Sequence, residues 1–136
     1  MWTSLQNPLA LVGRILLALL FIPTGVGKLT GFAGNVAYTA SGGIPMPEVA
    51  TAIALLIELV GGVALLLGWG TRWAALALAF FTLVASVFFH NFWGVPAEQA
   101  FMQQLLFYKN IAVVGGLLAF AAFGPGGLSV DARRMK

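Results

Sequence analysis

Cysteine is missing altogether from the 136 residues, and histidine occurs once. This chain alone therefore offers no disulfide, thiol nucleophile, CxxC redox pair, haem c attachment or iron–sulfur ligation. One histidine cannot supply a bis-His haem. Charge is scarce too, at 8% of residues against 60% hydrophobic. A soluble domain carries about 25% charged residues, so this chain lacks the material for a water-facing surface. The net charge of +3 is spread over few residues. It forms no basic stripe, and a nucleic-acid partner is excluded. No catalytic triad, metal-ligand spacing or nucleotide motif is present. Gly61-Gly62 and Gly115-Gly116 have no strand or polar turn around them and are packing positions, not phosphate loops.

What is present is long apolar sequence. A helix needs roughly 20 residues to cross about 30 Å of hydrocarbon. Four blocks meet that length, at about 9–27, 49–67, 72–89 and 105–123. The expected fold is an all-α membrane protein, one domain over 1–136 built as an antiparallel four-transmembrane-helix bundle. Pro8 suits the start of the first helix, and Pro23 inside it is expected to kink it. The flank before Leu9 is neutral and no A-x-A site follows. The first block therefore reads as a mature span, not a cleaved leader. Only about four residues separate the second and third blocks, which must form a hairpin. In the first loop, Phe32, Val36, Ala37 and Ala40 fall near helical spacing, as in a short interfacial helix. Phe92 and Trp93 in the other long loop suit an aromatic belt.

Orientation follows from lysine and arginine. Arg72, Arg133, Arg134 and Lys136 share one side of a four-span chain, and Lys28 and Lys109 share the other. The positive-inside rule then puts both termini in the cytoplasm.

Ionisable residues inside spans are costly and are expected to face the bundle with partners. Arg14, Ala18, Phe21, Gly25 and Lys28 lie on one face of the first helix. Counted from the span edges, Arg14 and Glu58 differ in depth by about 6 Å, and a buried Arg14–Glu58 ion pair is expected. It serves either as a structural pair or as a proton-linked or ligand-binding carboxylate. Near the outer face Lys28, His90-Asn91 and Lys109-Asn110 form a second expected cluster, a cationic hydrogen-bonding rim over an apolar bundle. Such a rim suits an amphipathic ligand such as a quinone head group. The plain alternative for the lysines is snorkelling to the interface.

These residues carry a resemblance over about 9–123. Arg14-Ile-Leu-Leu-Ala-Leu-Leu-Phe opens the first helix and Gly27-Lys28-Leu closes it. Gly43-Ile-Pro45, Glu58-Leu-Val-Gly-Gly, His90-Asn91-Phe92-Trp93 and Lys109-Asn110-Ile-Ala follow in order. The sequence resembles the DoxX family of small bacterial and archaeal inner-membrane proteins. The resemblance implies a four-helix bundle in the cytoplasmic (inner) membrane and a link to redox metabolism, since relatives include a subunit of a thiosulfate:quinone oxidoreductase.

Three functions compete. In the first, the chain binds a quinone or similar ligand through His90, Asn91, Lys109, Asn110 and Lys28, with electrons coming from a redox-enzyme partner. In the second it is a non-catalytic assembly or anchor subunit for a soluble oxidoreductase. In the third it is a small-molecule exporter, which with four helices must form a homo-oligomer. The residues leave open whether the chain is itself an enzyme.

Overall fold

The computed structural model of the protein describes residues 2–135. Lys136, one of the cations used above for orientation, lies outside them. The described residues contain no strand; their elements are α1 (Trp2–Thr30), α2 (Phe32–Ser41), α3 (Pro47–Leu67), α4 (Thr71–Phe89), α5 (Ala97–Phe123) and the short α6 (Val130–Arg134). Among them α1, α3, α4 and α5 are long and apolar enough to cross a membrane. This is an all-α membrane protein. The outer surface agrees: Leu16, Phe80 and Phe123 are among many large apolar side chains left exposed.

Two helices run further than their apolar blocks. Pro8, expected at a helix start, lies inside α1, which begins at Trp2. Hydropathy marks where a helix can cross lipid, not where its backbone stops. Likewise α5 starts eight residues before the expected 105, directly after Pro96 and with Glu98 in its first turn. Those are helix-start signals that a hydropathy window passes over. The loop expected at 90–104 shrinks accordingly.

Glycine sets the packing. A Cβ on Gly25 would sit 3.0 Å from the Leu59 backbone nitrogen, and one on Gly62 would sit 2.9 Å from Ile22. These close approaches lock α1 against α3 in antiparallel register. Gly61 does the same for α3 on α4, against Leu78. Phe21, Leu65, Ala75, Leu78, Ala79, Val114 and Leu117 make the small core.

Both termini, the α3–α4 turn and α6 gather at one end of the bundle, where opposite charges meet the helix dipoles. Gly68, at φ 70°, closes α3, with Trp69 N–H donating to Ala64 O and Gly68 N–H to Leu65 O, a Schellman motif. The buried Arg14 guanidinium donates to Leu66 O at 2.9 Å and Leu65 O at 3.3 Å, and also to Leu128 O. A cation thus covers the negative end of α3. Asp131 covers the positive end of α4, accepting from Gly70 N–H at 2.8 Å, Thr71 N–H at 3.0 Å and the Thr71 hydroxyl at 2.9 Å. Arg72 donates to Ala121 O at 2.8 Å and to Ala122 O near the last turn of α5. Gly127 N–H donates to Asn7 Oδ1 at 2.6 Å and ties the tail to α1.

At the opposite end α2 lies across α3 and α4. Tyr38 stacks on Phe89 with centroids 4.7 Å apart, and the Thr51 hydroxyl donates to Thr39 Oγ1 at 2.9 Å. The first loop does hold a short helix. However, its buried residue is Thr39, with Asn35 and Val36 half-buried, whereas Ala37 and Ala40 are exposed. Polar contacts to α3, not the apolar spacing, choose the face. Phe92 and Trp93 pack on Phe107 of α5, 5.5 and 5.6 Å away.

Candidate functional site

Between α1, α3 and α4, beneath α2, lies a cavity of about 490 Å³. Its chemistry is divided. Ile53, Ile57, Phe80, Phe81, Val84 and Phe88 give it an apolar wall from α3 and α4. Thr24 and Lys28 from α1, Glu58 from α3, Thr82 from α4, His90 and Asn110 give it polar groups.

At the polar side Lys28 Nζ lies 2.6 Å from Glu58 Oε2, with the two side chains 19% and 7% exposed. The Thr24 hydroxyl, 3.0 Å from Glu58 Oε1, donates to the other carboxylate oxygen. Glu58 is thus held by two side chains from one face of α1, a turn apart.

The expected Arg14–Glu58 pair does not form. The contacts Gly25–Leu59 and Gly62–Ile22 fix a register in which Glu58 faces Thr24 and Lys28. Arg14 is ten residues below Thr24, about 15 Å along the helix, and is spent on the last turn of α3. Aligning the edges of the apolar blocks misplaced the two helices by about two turns, roughly 12 Å. Lys28, expected on the outer rim, is Glu58's counter-ion instead of a snorkelling lysine.

The expected outer cluster is split in the same way. Lys28, His90 and Asn110 meet at the cavity. Asn91 is half-buried outside it and closes a turn, its carbonyl accepting from Gly94 N–H at 2.9 Å. Lys109 is exposed and off the cavity wall. It sits twelve residues into α5 and does not open that helix. Asn110, the next residue and so about 100° further round the helix, takes the inward position. His90 Nδ1 is 2.9 Å from Gln103 Oε1; with that oxygen accepting, Nδ1 carries the proton and Nε2 keeps its lone pair.

Sequence reasoning passed over Thr24, Thr39 and Gln103. Thr24 carried a signal, since it precedes Lys28 by four residues on one face of α1. Gln103 did not, because it fell in a segment taken for loop.

Comparison with known proteins places the chain. The DoxX family model matches residues 9–91, from α1 through α4 to His90 and Asn91. Inner membrane protein YphA of Escherichia coli (strain K12) is 38% identical over 92% of this chain and 89% of its own length. Inner membrane protein YqjF of the same organism is 40% identical over 94% and 93%. A Surfeit locus protein 4 homolog of Drosophila melanogaster is 29% identical over 96% of this chain but only 43% of its own length. No solved structure matches. With a family model covering more than half its residues and two relatives similar along nearly their whole length, the chain belongs to the DoxX family.

Proposed function

We propose that this chain is a ligand-binding subunit of the cytoplasmic (inner) membrane, with both termini cytoplasmic, and that its cavity takes a quinone-like molecule. The observation that carries the reading is the divided cavity around Lys28 and Glu58. Its volume of about 490 Å³ falls in the range of small-molecule sites, roughly 300–1,000 Å³. A quinone requires hydrogen-bond donors for its carbonyl oxygens and an apolar slot for its tail. Lys28 and Asn110 supply the first, with His90 as a further polar group on the wall; Ile53, Phe80, Phe81 and Phe88 supply the second. The names of YphA and YqjF support the membrane assigned here. With no cysteine in the chain, the electrons of any quinone reaction come from a partner redox protein.

The test is titration of ubiquinone and menaquinone into the purified protein in nanodiscs. Asn110→Leu and His90→Phe each remove one polar group from the wall. Each should weaken binding by about tenfold, the worth of one hydrogen bond of roughly 1–1.5 kcal/mol. Lys109→Met should bind as the parent does. No binding by the parent, or equal binding by all four proteins, rejects the reading.

A further inference from the structure

We infer that the cavity is loaded sideways, from the hydrocarbon of the membrane through a portal between α3 and α4, so that its ligand is an uncharged, lipid-soluble molecule. The inference rests on the ligand-binding reading above and adds the route and the class of ligand. Four residues carry it. Ile53 on α3 and Phe80, Val84 and Phe88 on α4 line the same cavity as the buried Glu58. Yet they are 52%, 69%, 37% and 40% exposed on the outside of the bundle. A wall residue that is also an outer-surface residue marks an opening, and this opening faces sideways.

The two helices are arranged to leave such a gap. They are joined by the tight Gly68–Gly70 turn at one end and packed near it through Gly61 on Leu78. At the other end α2 spans from α3 to α4 by the Thr39–Thr51 hydrogen bond and the Tyr38–Phe89 stack. Asn35, Tyr38 and Thr39 of α2, with Ile44 just after it, line the cavity from that side. The loop end is therefore roofed while the flank is open.

The chemistry along this path excludes ions. A charged molecule entering past Ile53, Phe80, Val84 and Phe88 gives up its hydration with nothing in return. At the inner wall Lys28 and Glu58 neutralise each other at 2.6 Å, so no spare charge waits for an ionic ligand. An apolar tail already dissolved in lipid crosses the same residues without a transfer cost, and its polar head finds Thr24, Glu58 and Asn110.

Because the chain has no cysteine, a single introduced cysteine labels at one place. Ala85→Cys and Ala54→Cys, both on the cavity wall, are spin-labelled in liposomes and relaxed with oxygen, which concentrates in lipid, or with a water-soluble nickel chelate. Leu16→Cys, on the exposed apolar face of α1, gives the lipid reference, and the exposed Glu98→Cys gives the water reference. Both cavity labels should follow Leu16, with oxygen relaxing them several-fold more than the chelate. Cavity labels that follow Glu98 overturn the portal and put entry on the water side. The measurement uses no ligand, so quinones that fail to bind reject the earlier reading without touching this one, and the reverse also holds.

Discussion

At the residue scale the protein turns on how few charges it has and where each is used. Lys28 and Glu58 form the one ion pair among the described residues. Removing one partner of a buried pair costs about 3–5 kcal/mol, because the other charge is stranded. Glu58→Gln and Lys28→Met should therefore each lower thermal stability sharply in detergent, and the double variant Lys28→Met/Glu58→Gln should regain much of the loss. Arg14→Leu combined with Glu58→Leu should be additive, since Arg14 spends its guanidinium on Leu65, Leu66 and Leu128. A rescue in that double variant would contradict the register. The need for both charges to be partnered was legible in the sequence; which charge met which was not. That depended on Gly25 and Gly62 setting the register of α1 on α3, and two glycines in apolar helices do not announce their partners. Gly68 is a sharper case. At φ 70°, a Cβ there would fall 2.4 Å from Ser129 Cβ and 2.5 Å from an Arg14 nitrogen. Gly68→Ala should cost about 1–3 kcal/mol through backbone strain, with the clash adding to it, read as a loss of melting temperature.

At the element scale each of three helix ends near the termini is met by a charge of the right sign. Asp131 is the most testable. Burial pushes its carboxyl pKa up, but the hydrogen bonds from Thr71 and Gly70 and the nearby Arg134 outweigh that and hold it below the usual carboxylate value. A folded value below the unfolded one means that the α4 cap contributes fully above about pH 5 and is lost as pH falls through the folded value. Asp131→Asn should lower the melting temperature at neutral pH, by an amount corresponding to about 1 kcal/mol for a helix cap. The gap to the parent should narrow as pH is lowered toward 3. A gap that is constant with pH would show that the carboxylate charge plays no part. None of this was legible beforehand, because Asp131 lies sixty residues from the helix it caps. The four long helices were legible, because lipid requires about 20 apolar residues per crossing and the chain supplies four such blocks. The early start of α5 was missed because its first turns are polar.

At the scale of the whole molecule, the bundle is fastened at the end carrying both termini and hollow toward the other. Arg72, Arg133 and Arg134 lie at the fastened end, and the proposed cytoplasmic placement of that end rests on them. A reporter active only outside the cytoplasm should work when fused at about Asn35 or Glu98 and fail at the C-terminus. The reverse pattern would turn the cavity to the cytoplasmic side. The most direct measurement of the central claim is lipid mass spectrometry of the protein extracted in mild detergent from quinone-containing membranes. The parent should carry quinone near one per chain, and Asn110→Leu with His90→Phe should lose it while remaining folded. Parent protein that extracts intact without quinone, or a double variant that retains it, would contradict a quinone site at Lys28, Glu58, His90 and Asn110.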